Sequence, residues 1–217
     1  LFPIVVLSTF PGYLPQSLFG FTKLRMKPFS APHIIWLLLI VAILLFSYFF
    51  LRFRSREVRY AVCVYMALYL FIHYNWIYLM DLKLSRFPFQ LCNLGSYLVL
   101  IALLIKKQGF SNFVLLANVP GALIALCVPD VKEGMLSFWN IHFYIEHMLV
   151  LIVPILMVTL RIMERPDKKA VRHFFIGFSI YFGFCSIMGS IFNAYLYKPL
   201  SFFYDEVNYL SLFDYPV

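Results

Sequence analysis

Apolar runs of near-membrane length divide this chain, and short basic connections separate them. A bilayer core takes about 20 consecutive apolar residues as helix. On that rule the runs lie at 33–51, 60–80, 88–105, 110–129, 136–160 and 172–196. The third and fourth are near the short end. Val119-Pro120-Gly121 interrupts the fourth and Pro154 the fifth. Such breaks persist where neighbouring helices or polar side chains take over the freed carbonyls. The pattern predicts an all-α fold, a polytopic bundle of six transmembrane helices. Residues 1–27 hold Pro3, Pro11, Gly12, Pro15 and Gly20, which break a spanning helix. They are expected to form a non-spanning lead-in, with Met26 as a candidate natural start. Residues 28–217 then make one six-helix domain. No internal repeat aligns the two halves, which argues against an inverted-repeat transporter.

Composition adds that no sizeable soluble domain fits. The chain is 63% hydrophobic and 13% charged, where soluble domains average about 25% charged. The net charge of +8 does not point to nucleic acid, because the cations sit in short loops. There they fix topology and meet anionic lipid headgroups. Three alternate loops hold eleven of them: Arg52, Arg54, Arg56, Arg59; Lys106, Lys107; and Arg161, Arg165, Lys168, Lys169, Arg172. The other side holds seven: Lys23, Arg25, Lys27, Lys83, Arg86, Lys132 and Lys198. The asymmetry predicts both termini outside and the three basic loops in the cytoplasm. A multi-pass protein of the plasma membrane, here a bacterial cytoplasmic membrane, is the expectation. The four cysteines form no CxxC and no paired spacing, so neither a disulfide frame nor a zinc knuckle is supported.

Polar groups inside the apolar runs carry the candidate chemistry. With this orientation, His73 and Asn75 fall in the outer half of span two, and Gln90, Cys92 and Asn93 begin span three. Asn118 lies mid-membrane in span four, and Asp130 at its outer end. Span five brings Asn140, His142, Glu146 and His147, and span six brings Asn193. Ionisable groups at depth cost about 2.5–3.5 kcal/mol each on insertion scales, so they face the interior and usually serve function. His142 and Glu146 are four apart and share a helix face; His147 points about 100° away. The bland alternative is a set of interhelical hydrogen bonds, each worth about 0.6–2 kcal/mol. Zinc would suit His73, His142, Glu146 and His147, but no HExxH is present and helical spacing scatters them. No metal or other cofactor is therefore expected. Cys63 and Cys185 read as small buried hydrophobes. Cys92 differs, because Gln90 and Asn93 flank it and a helix start lies close by. Helix N-termini favour the thiolate and offer amide donors to an oxyanion.

The order of short motifs resembles a known family. These are Phe29-Ser30-Ala31-Pro32-His33, Phe87-Pro88-Phe89-Gln90-Leu91-Cys92-Asn93, the run Pro120 to Asp130, Phe143-Tyr144-Ile145-Glu146-His147, Asn193-Ala194-Tyr195 and Ser211-Leu212-Phe213-Asp214. The chain resembles the six-span family that joins bacterial YwaF-like proteins with eukaryotic transmembrane protein 164, over roughly residues 28 to 215. The resemblance implies a cysteine-dependent acyltransferase or acyl-ester hydrolase acting on a membrane lipid. It puts the nucleophile on Cys92 and the catalytic histidine on His147. Bacterial relatives often carry His where this chain has Gln90, so a base at that position is absent here. Asn93 and Asn118 are the expected oxyanion donors, with Glu146, His142 and His73 in support and Asp130 at the rim. The competing expectation is a non-enzymatic module that captures a small ligand for a transporter. Such subunits have cytoplasmic N-termini and a small-residue first helix, where this chain reads the other way.

Overall fold

The computed structural model describes residues 27–80, 89–129 and 138–196. Among them it forms six α-helices and no strand: α1 Ala31–Leu51, α2 Arg56–Met80, α3 Leu91–Ile105, α4 Gln108–Cys127, α5 Phe138–Thr159 and α6 Lys169–Leu196. Each helix covers one apolar run, with ends shifted by local chemistry. α2 starts four residues before its run because Ser55 caps it, accepting Val58 N–H on its hydroxyl and Arg59 N–H on its carbonyl. α3 starts at Leu91, three residues later than its run, because Gln90 is extended with ψ of 143°. Pro120 and Pro154 do not end their helices. Each ring only removes one N–H, which frees the carbonyls of Leu116 and Val150.

Four helices are long and apolar enough to cross a membrane: α1, α4, α5 from Asn140, and α6 to Met188. α3 is apolar but has 15 residues. α5 is the central helix, with α4, α2, α3 and α1 packed around it, while α6 packs on α4. Val150, Ile152, Val153 and Leu156 of α5 are wholly buried. α1 and α6 instead turn large apolar side chains outward, Phe46 and Ile180 each being 69% exposed. Apolar surface of that extent is stable only against lipid. The chain is a multi-pass membrane protein.

Hydrogen bonds between helices define the two ends of the bundle. At one end Arg59 Nη1 donates to Leu160 O (2.6 Å), Tyr60 Oη to Leu103 O (3.1 Å) and Gln108 Nε2 to Glu164 O (3.0 Å). The starts of α2 and α4 thus meet the ends of α3 and α5, and the basic connections gather there. At the other end His33 Nε2 meets Leu126 O at 2.7 Å, joining the start of α1 to the end of α4. His33 also accepts the Phe29 N–H on Nδ1 at 2.7 Å. That acceptance fixes Nε2 as the protonated nitrogen and holds Phe29 at a φ of 58°, which is strained for a bulky residue.

Candidate functional site

The site lies at the end of the bundle where α3 begins. Cys92 is the second residue of α3, and Gln90 makes no side-chain cap. The first N–H groups of a helix have no intrahelical partner, and Cys92 and Asn93 are the second and third residues of α3. The thiol is half-buried and donates to Asn93 Oδ1 at 3.5 Å. Asn93 Nδ2 in turn donates to Gln90 Oε1 at 3.4 Å. Gln90 therefore steadies Asn93. α6 anchors this start. Tyr181 Oη donates to Phe89 O at 2.7 Å, and Cys185 Sγ donates to the same carbonyl at 3.4 Å. Cys185 is thus more than filler, while Cys63 is wholly buried as expected.

α5 brings its polar groups to the same end. His142 Nε2 lies 3.4 Å from Glu146 Oε2, the pair predicted by their spacing. His73 of α2 completes a chain, its Nε2 lying 2.8 Å from His142 Nδ1. With Glu146 ionised the chain has one consistent protonation: His142 Nε2–H faces Glu146, and His73 Nε2–H faces His142. Glu146 Oε1 and His73 Nδ1 remain buried without a partner. His147 is 5% exposed, and its Nδ1 meets Phe143 O at 2.8 Å. A carbonyl only accepts, so Nδ1 carries the proton and Nε2 keeps its lone pair. Cys92 and His147 are not hydrogen-bonded to each other: the thiol turns to Asn93.

Asn118 of α4 is 1% exposed, and neither its Oδ1 nor its Nδ2 has a hydrogen-bond partner. It lies against α3. A Cβ placed on Gly95 would sit 3.2 Å from Asn118 Nδ2 and 3.1 Å from Val150 Cγ1. Gly95 is one turn into α3 from Cys92, on the same face. The lack of a side chain at Gly95 lets the amide approach the helix that carries the thiol. Asp130 lies outside the described residues, as do Pro88 and the side chain of Asn193.

Three contributors had weak signals in the sequence. His33 and Tyr144 were visible only as motif letters, and Tyr181 as one aromatic among many. Tyr144 stacks on Trp36 at 4.8 Å, and its hydroxyl is buried without a partner. No cluster of three or more metal-ligating side chains occurs among the described residues. The family model described as the TMEM164 family matches residues 28–216. No curated protein and no solved structure matches the chain.

Proposed function

This chain belongs to the TMEM164 family, and we propose that it is a six-span membrane enzyme that transfers or hydrolyses a lipid acyl group. Both termini face outward, the basic loops lie in the cytoplasm of a bacterial plasma membrane, and the site opens to the outer half of the bilayer. α3, though short, spans as part of this bundle. The substrate is a membrane lipid bearing an acyl ester.

One observation carries the reading. A buried amide with no partner, Asn118, sits beside Gly95, which is one turn along α3 from a thiol at the helix start. Leaving a buried amide unpaired costs about 1–3 kcal/mol, and a reaction that develops negative charge nearby gives it a purpose.

The chemistry follows from the atoms. The thiol leaves Asn93 Oδ1, and His147 Nε2 takes its proton. Sγ bonds to the ester carbonyl carbon, and the carbonyl electron pair moves to oxygen. That oxyanion accepts from Asn118 Nδ2–H and from the free amides at the start of α3. The ester C–O bond then breaks, and the departing alkoxide takes the proton back from His147. A thioester remains on Cys92. A lipid hydroxyl or water, deprotonated by His147, attacks it and restores the thiol. Glu146, held by His142 and His73, sets the field around the imidazole.

The test is to incubate the full chain in nanodiscs with a phospholipid carrying a fluorescent acyl chain. A hydroxylamine-sensitive label should appear on the protein. Cys92→Ala should abolish it, and Cys127→Ala should retain it. His147→Ala should slow labelling about 10²–10⁴-fold. A thioester label that survives Cys92→Ala would sink the assignment.

A further inference from the structure

The opposite end of the bundle carries a second candidate site. A groove of about 340 Å³ opens between the start of α2, the end of α3 and the connection after α5. Its volume falls in the range of small-ligand sites, ~300–1,000 Å³. Ala102, Leu103, Ile162 and Met163 give it apolar walls, and Arg56 and Lys106 stand on it. A neighbouring hollow of about 400 Å³ shares Arg56, Ile162 and Met163 and adds Arg161 and Arg165. Four cations therefore face two carboxylates, Glu57 and Glu164. Neither Arg56, Arg161 nor Arg165 has a carboxylate of the described residues within ion-pair distance.

The groove is a built feature. Tyr60 Oη donates to Leu103 O, and Arg59 donates to Leu160 O, fixing α2 against α3 and α5. Lys106 and Arg161 both take left-handed backbone conformations, with φ of 52° and 57°. Those bends turn the chain back at the ends of the helices. The Lys106 ammonium sits 4.3 Å above the Tyr60 ring, which holds it at the groove.

We propose that this groove binds the phosphate of an anionic phospholipid. Arg56, Lys106, Arg161 and Arg165 supply the charge for the headgroup, and the apolar walls of Ala102, Leu103, Ile162 and Met163 receive the apolar part of the lipid next to it. Arginine recognises phosphate through paired N–H donors, and basic pockets between membrane helices suit such headgroups. The site stands apart from Cys92 and does not depend on its chemistry.

The full chain is purified into nanodiscs of phosphatidylcholine, with or without phosphatidylglycerol. Phosphatidylglycerol should raise the unfolding temperature and be retained over phosphatidylcholine in native mass spectrometry. Arg56→Gln with Lys106→Gln should weaken that retention about tenfold. Arg52→Gln with Arg54→Gln should leave it unchanged, because those guanidinium groups lie over Phe53 and Phe50 instead. If the first pair fails to fold, Lys106→Gln alone makes the comparison, since Lys106 is exposed. Equal loss in both pairs would overturn the site in favour of diffuse loop charge. No preference for phosphatidylglycerol in the wild type would overturn it as well. Equal stabilisation by inorganic phosphate in phosphatidylcholine discs would replace the lipid with a soluble phosphate.

Discussion

Asn118 puts function and stability in opposition at a single residue. Its amide is buried with neither polar atom paired, so a near-isosteric apolar side chain removes a desolvation cost. Asn118→Leu should raise the thermal midpoint, equivalent to about 1 kcal/mol, while slowing acylation about 10²–10³-fold. A lowered midpoint would mean that the amide is a structural bond instead. His33 is the reverse case, since both of its nitrogens are bonded. His33→Ala should cost about 3 kcal/mol in reversible unfolding, because it orphans a buried carbonyl and leaves a cavity. The sequence singled out Asn118 by its depth in an apolar run. It gave His33 no role, because the carbonyl it binds lies 93 residues away. Gln90 was legible as a departure from the family pattern, and its bond from Asn93 could be read only from the folded helix start.

At the scale of the helix, glycines show which faces are packed. A Cβ on Gly177 of α6 would lie 2.5 Å from Phe113 Cδ2 and 2.7 Å from Cγ, near the base of a buried ring. Gly177→Ala should therefore destabilise by about 1–3 kcal/mol, the usual range for overpacking. Gly183, two turns on, has nothing within 4 Å of the same position. Gly183→Ala should be neutral or stabilise by up to about 1 kcal/mol, through helix propensity alone. Thermal midpoints of the two variants in one detergent check the contrast, and equal shifts would mean that α6 does not seat on Phe113. Hydropathy located all six helices, because apolar length is a local property. Their ends were less legible. Ser55 extends α2 past the apolar run and the extended Gln90 shortens α3, and both are backbone choices that hydropathy does not register.

For the whole molecule, the hydrogen bonds at one end place the three basic connections together. Under the proposed orientation, Arg165→Cys in a Cys127→Ala background, which removes the exposed native thiol, should resist an impermeant maleimide on intact cells and react after permeabilisation. Labelling of intact cells would invert the topology and move the Cys92 site to the inner half of the bilayer. The sequence by itself determined the all-α class, the apolar runs, the separation of cations into alternate loops, and a short list of polar groups too costly to bury idly. These follow from local composition, because length, charge and hydropathy need no partner to be read. The tertiary structure decided which of those groups meet. It joined His73 to His142 and Glu146, turned the Cys92 thiol to Asn93, left Asn118 unpaired beside Gly95, and opened a basic groove between α2 and α3. Apart from the thiol's turn to its neighbour Asn93 and the His142–Glu146 pair within one helix, each is a contact between residues distant in the chain. Only packing brings them within reach, and no periodicity in the sequence encodes the distance.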